Sequence, residues 1–257
     1  MPRSRRRSEP QDHQHAPFLR HVASIGEIDS DKYPFTIPAF REGISLELTA
    51  PVTFFVGENG SGKSTLLEAI ASHCGFNLEG GTRDHLYQTR HEASQLAPAL
   101  RLSWTPKVTR GFFMRAESFF NFATYVDQIA DNDYRAYGGK SLHKKSHGES
   151  FLSLFQNRFA KGIYILDEPE AALSPKRQLS FIKIIHDLER AGHSQFLIAT
   201  HSPILLTYPN ATIFSVDGDS IDSVTYQETE HYQLTREFLE APERFFRYLF
   251  DDEDASD

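Results

Sequence analysis

The chain is 257 residues long with a mass of 29.3 kDa, ample for one large α/β domain. Hydrophobic residues at 39% and charged residues at 24% exclude a collagen-like or wholly disordered chain, and a single cysteine, Cys74, excludes an intramolecular disulfide framework and suits a reducing, cytoplasmic setting. The net charge of −8 divides into +2 over residues 1–17, −5 over residues 251–257 and −5 over the body between them, and an acidic body argues against dedicated duplex DNA binding.

Residues 1–17 are rich in Pro, His, Gln and Arg without apolar periodicity and read as a flexible leader. Arg3, Arg5, Arg6 and Arg7 are not followed by the apolar core of a signal peptide, and no apolar stretch reaches the roughly 18 residues that cross a bilayer, so no direct membrane insertion is expected. Short apolar segments at 18–22, 35–40 and 44–48, separated by Asp, Gly and Pro, predict a small antiparallel sheet. The β-branched and aromatic run at 51–56 predicts a buried strand, followed by a glycine-rich stretch at 57–62 and a helix over 63–72.

Residues from about 75 to 150 mix helical and strand patterns between Gly80-Gly81 and Gly138-Gly139, and predict an inserted, mainly helical subdomain. Apolar positions at 151, 152, 154, 155 and 159 mark one face of a helix over 149–159, ahead of a short apolar strand at 163–166. Ser174-Pro175 opens a helix that runs to about Arg190 and stops near Gly192. A strand at 196–199 follows, then a hairpin, 212–216 and 221–226, about the turn Asp217-Gly218. An amphipathic helix over 234–250 precedes a solvated acidic tail, 251–257. These elements predict an α/β fold: a central, mainly parallel sheet, an N-terminal antiparallel subdomain and an inserted helical subdomain, all within residues 18–250.

Gly57-Glu58-Asn59-Gly60-Ser61-Gly62-Lys63-Ser64 fits G-x-x-x-x-G-K-[ST] between a strand and a helix, the setting the motif requires. Glycines let successive backbone N–H groups converge on phosphate oxygens at a helix N-terminus. Lys63 reaches the β- and γ-phosphates, the Ser64 hydroxyl ligates Mg²⁺, and Thr65 joins the loop residues that bind the nucleotide. The strand at 163–166 ends in two carboxylates: Asp167 is suited to hold the metal opposite Ser64, and Glu168, aimed differently, to polarise an attacking water. His201 follows the next apolar strand, where ligands bind in open α/β sheets, within reach of a γ-phosphate.

Together these elements resemble the ABC-type ATPases, and two further segments narrow the likeness. Ser146-His147-Gly148-Glu149-Ser150 lies where that family carries its LSGGQ signature; Ser146 and Gly148 match, whereas Lys145, His147 and Glu149 depart from it. The segment 170–174, Glu-Ala-Ala-Leu-Ser, resembles the D-loop, and Thr200-His201 the switch histidine. The Q-loop position falls in 111–120, with Glu117 standing where a Gln would contact Mg²⁺. Degenerate signatures of this kind are similar to those of compact, soluble bacterial ATPases labelled AAA family, relatives of the SMC and RecF-like groups. That resemblance implies Mg²⁺-dependent ATP hydrolysis by a homodimer formed on ATP binding, with Ser146 and Gly148 of one chain completing the site of the other. An unidentified protein or nucleic-acid partner is compatible with it. The alternative is the ATP-binding subunit of a membrane transporter. Tyr33, Phe35 and Phe40 all lie where the family stacks the adenine. Twelve histidines, His143 and His147 among them, form no spacing that completes a metal site. No N-K-x-D guanine reader is present, against a GTPase.

Overall fold

The computed structural model describes residues 15–78, 80–82, 94–115, 119, 123–124, 127, 147–158 and 161–250. In chain order the elements are β1 (Leu19–Ser24), β2 (Ser45–Glu47), β3 (Val52–Val56), α1 (Lys63–Cys74), β4 (Leu100–Trp104), β5 (Gly111–Arg115), α2 (His147–Arg158), β6 (Gly162–Asp167), α3 (Pro175–Arg190), β7 (Ser194–Ala199), α4 (Pro203–Leu206), β8 (Thr212–Ser215), β9 (Asp222–Val224), α5 (Glu230–Glu240) and α6 (Pro242–Phe250).

Six strands form the central sheet in the order β5-β6-β7-β3-β8-β9, with all neighbours parallel except the β8–β9 hairpin. Every residue of β3, β6 and β7 is buried, because a parallel sheet is covered on both faces. The two-residue period of the strands then sorts side chains between two cores. Phe54, Tyr164, Leu166, Phe196 and Ile198 face the side carrying Phe151 and Phe155 of α2 and Phe181 and Ile185 of α3. Phe55, Ile163, Ile165 and Leu197 face α1 through Leu66, Leu67 and Ile70, with Leu19, Val22 and Leu46 of the small sheet in the same core. That parity decides the site, since Asp167 falls in the register of Ile163 and Ile165, on the α1 side.

The small sheet, ordered β2-β1-β4, is antiparallel as predicted, but its third strand comes from residues 100–104. Residues 35–40 instead form turns and a 3-10 turn at Pro38–Phe40, in keeping with Pro34 and Pro38 interrupting the apolar run. Strands β4 and β5 both lie within the stretch expected to be mainly helical, β5 pairing with β6 in the central sheet. Much of the expected insert, including 128–146, lies outside the described residues, as do most of the leader and the acidic tail. The C-terminal helix predicted over 234–250 is two helices, broken between Glu240 and Pro242 because proline has no N–H to continue the ladder. No helix among the described residues is long and apolar enough to cross a membrane.

One buried polar side chain joins the two sheets. Gln195 of β7, fully buried, accepts the Phe18 and Leu19 N–H groups at Oε1 (2.8 and 2.9 Å) and donates Nε2 to the Leu19 carbonyl at 2.9 Å.

Candidate functional site

Parallel strands bring their C-terminal ends to one edge of the sheet. The loop 57–62 follows β3, Asp167 and Glu168 close β6, His201 follows β7, Asp217 follows β8 and Arg115 ends β5. The loop turns into α1 through Gly62 at φ 108°, where a Cβ would stand 2.7 Å from the Phe40 ring. Only glycine meets both demands. Gly57, at φ 144°, leaves room for the Asp217 carboxylate, whose Oδ1 accepts the Glu58 N–H at 2.7 Å.

Lys63 is 4% exposed, and its Nζ donates to the carbonyls of Gly57 (2.6 Å) and Glu58 (2.8 Å). Desolvation lowers its pKa, opposed by Glu168, Asp217, Asp167 and Glu58. The Ser61 Oγ is buried without a partner in the same loop. A buried cation, an orphaned hydroxyl and a helix N-terminus with no side-chain cap all fit an anion of phosphate geometry.

Across the cleft, Asp167 accepts from Ser64 Oγ at 3.1 Å and lies 3.5 Å from Arg115 Nε, while Arg115 Nη1 pairs with Glu68 Oε1 at 2.7 Å. Burial pushes the Asp167 carboxyl up to about 6, against the opposing pull of Ser64 and Arg115. A carboxylate this poorly solvated beside a hydroxyl fits a divalent cation, for which phosphate oxygens and waters supply the remaining ligands. Glu168 sits in the left-handed region at φ 50° and ψ 53°, a conformation that costs a non-glycine residue about 1 kcal/mol or more. The reversal turns its side chain away from the direction of Asp167 and leaves it 44% exposed at the cleft.

His201 Nε2 stands 3.4 Å from Glu168 Oε1, and its backbone N–H donates to Glu170 Oε1 at 2.6 Å. Burial raises the Glu170 pKa, which that hydrogen bond partly offsets. A cleft of about 310 Å³ is lined by Tyr33, Ile37, Asn59, Gly60, Gly62, Lys63, Ser64, Thr65 and Glu168. Tyr33 is 53% exposed and its hydroxyl lies 3.3 Å from Thr65 Oγ1, whereas Phe35 and Phe40 are core residues.

The structure therefore brings Gly57, Glu58, Asn59, Gly60, Ser61, Gly62, Lys63, Ser64, Thr65, Asp167, Glu168 and His201 to one edge. Ser146 and Glu117 lie outside the described residues. Gly148, in the first turn of α2, is buried: a Cβ there would meet Arg177 Cδ at 2.7 Å and the Ala172 carbonyl at 3.0 Å. Three residues at this edge carry no motif. Arg115 was legible only as a charge ending an apolar strand, Asp217 as half of a hairpin turn, and His231, whose Nε2 lies 2.7 Å from His201 Nδ1, left no sequence signal.

A parallel sheet whose first core strand delivers a glycine-rich loop to a helix, opposite a strand-end aspartate, defines a P-loop NTPase. Residues 37–163 match a family model described as an AAA domain, and residues 150–207 match a second AAA-domain model. Similar proteins include an uncharacterized ABC transporter ATP-binding protein of Methanocaldococcus jannaschii, 26% identical over 205 residues, 65% of this chain and 71% of that one. The hemin import ATP-binding protein HmuV of Pseudomonas aeruginosa is 28% identical over 182 residues, 61% and 69% of the two chains. The tungstate uptake ATP-binding protein TupC of Campylobacter jejuni is 22% identical over 230 residues, 76% and 67%. A solved structure titled as an inward-facing ABC transporter of metal-chelate type shares the fold, with a TM-score of 0.51, 14% identity and coverage of 86% and 88%. These likenesses support an ABC-type P-loop ATPase.

Proposed function

We propose that the chain hydrolyses ATP with Mg²⁺ at a site completed by a second copy of itself, and that ATP binding drives the dimer together. The observation that carries this reading is the opposition of Lys63 and the loop N–H groups to Ser64, Asp167 and Glu168 across one cleft. The loop amides and Lys63 Nζ bind the β- and γ-phosphates once Nζ leaves the Gly57 and Glu58 carbonyls. Ser64 and Asp167 would hold Mg²⁺, which when bound would neutralise phosphate charge. Glu168 takes the proton of the attacking water, its exposure and backbone reversal leaving the carboxylate free to meet solvent. His201 addresses the γ-phosphate from β7. Tyr33 stacks on the adenine, because of the three candidate aromatics it alone is exposed at the cleft.

The domain division 1–17, 18–250 and 251–257, with an insert within about 75–150, a cytoplasmic location and a Glu117 contact to the metal belong to the same reading. So does a contribution of Ser146 and Gly148 to the partner's site. Because Gly148 already packs under Arg177 of its own chain, a bulky residue there would disturb that contact first, and Ser146 is the better probe. In a Glu168→Gln background with MgATP, sedimentation velocity should give a dimer, and Ser146→Arg should return it to the monomer while ATP binding persists. A monomer in both would remove the composite site.

A second reading, an ATP-binding subunit of a membrane transporter, is favoured by the names of the hemin and tungstate relatives. It predicts recovery of the chain with membranes and low turnover of the purified protein alone. The first reading predicts turnover by the chain itself.

A further inference from the structure

The ring of His201 touches a second imidazole. Its Nδ1 lies 2.7 Å from His231 Nε2, with ring centroids 4.8 Å apart and planes tilted by 57°. His231 is the second residue of α5, and the entry to that helix is pinned. The Thr229 hydroxyl, buried, donates to the Tyr226 carbonyl at 2.7 Å, and Glu228 Oε2 accepts the Thr225 N–H at 2.7 Å. The His231 ring therefore meets His201 from a fixed base.

A contact of 2.7 Å between two ring nitrogens requires one proton between them. Lys63, Glu168, Glu170 and His231 are the charged or titratable groups facing His201, and desolvation, then Lys63 and then His231, lower its pKa, so the ring is neutral at neutral pH and carries a single N–H. With that proton on Nδ1, the Nε2 lone pair would confront the Glu168 carboxylate 3.4 Å away and the phosphate oxygens beyond it, placing acceptor against acceptor. With His231 donating from its own Nε2, His201 accepts at Nδ1 and carries its proton on Nε2. That Nε2 is buried without a hydrogen-bond partner among the described residues and stands 3.4 Å from Glu168 Oε1, so the N–H is left to a phosphate oxygen or to a small shift of Glu168.

From this contact we infer that His231 is a positioning residue that fixes His201 as its Nε2–H tautomer and so presents a donor to the transferring phosphate. The inference rests on the reading that His201 addresses the γ-phosphate. It makes the start of α5, a helix outside the nucleotide-binding motifs, part of what sets the hydrolysis rate.

The test uses the full chain labelled with ¹⁵N at histidine, its ring resonances assigned by loss in His201→Ala and His231→Ala. Long-range ¹H–¹⁵N spectra of the parent should show His201 protonated at Nε2, and an Nδ1–H parent would overturn the inference outright. His231→Gln retains an amide donor at similar reach, whereas His231→Phe keeps a ring and loses the donor. The Phe variant should admit the Nδ1–H tautomer and lower kcat about 10- to 100-fold, the scale of losing a group that orients a functional imidazole, with KM little changed. The Gln variant should keep the parent tautomer and most of kcat. Equal losses in Gln and Phe would reduce His231 to packing. Full ATPase activity in His201→Ala would instead remove the role of His201, and leave the tautomer result standing as a separate fact.

Discussion

The ends of β3 and β6 lie at the same edge of one sheet, separated by β7, and are built in opposite ways. After β3 the chain turns through glycines, and the site is backbone: N–H groups at a helix start around a buried lysine. After β6 the site is side chains, with Asp167, Glu168 and Glu170 within four residues and partners drawn from distant segments. Each end carries desolvated charge of one sign, which lowers the pKa of Lys63 and raises those of Asp167 and Glu170. Neither end can relieve the other fully across the cleft. On the proposed reading, a nucleoside triphosphate with its cation would supply the anion to the first and the cation to the second.

The largest break in this comparison is Lys63→Ala, which removes the buried cation of the β3 end. ATP affinity should fall by about 2–5 kcal/mol, the scale for truncating a buried charge partner, and calorimetry measures it directly. Glu168→Gln attacks the other end while leaving its shape intact. Binding should persist and hydrolysis should drop roughly 10²-fold or more in a steady-state phosphate assay.

Asp167→Asn sharpens the contrast through stability. The carboxyl titrates at about 6 in the fold against an ordinary 3.8, so between these values the native chain holds more protons than the unfolded one and stability falls as pH rises. The penalty is complete above about 6 and absent below the ordinary value. In nucleotide-free protein the Asn variant should therefore be more stable at neutral pH, by about 1–3 kcal/mol, and gain nothing near pH 4. Thermal melts at the two pH values decide it. The smallest effect belongs to Tyr33→Ala, with ATP binding weaker by about 1 kcal/mol and thermal stability unchanged. Phe35→Leu should do the reverse, because Phe35 is a core residue.

The same contrast explains what was legible in the sequence. Residues 57–64 form a contiguous motif in its required setting, so the β3 end could be read without coordinates, and Asp167, Glu168 and His201 could be read as residues ending apolar strands. Their partners could not. Arg115 meets Asp167 because β5 and β6 pair in the register 115 to 167, and the His201–His231 contact depends on where α5 docks. The choice among Tyr33, Phe35 and Phe40 turned on burial, which identical aromatic character conceals. Leu100–Trp104 alternates in the manner of a half-buried strand, yet its partner β1 lies some eighty residues upstream, so pairing rather than pattern assigned it to the small sheet.

Gln195 gives the molecule a property that neither sheet has alone. Its three hydrogen bonds to Phe18 and Leu19 pass from the strand that precedes His201 to the sheet whose β1–β2 connection carries Tyr33. Replacement by Leu would bury two amides and a carbonyl without partners, an outcome unfavourable by more than the bonds themselves contribute. The two sheets are therefore expected to open to solvent together. The Phe18 and Leu19 amides should then exchange with deuterium as slowly as those of β7.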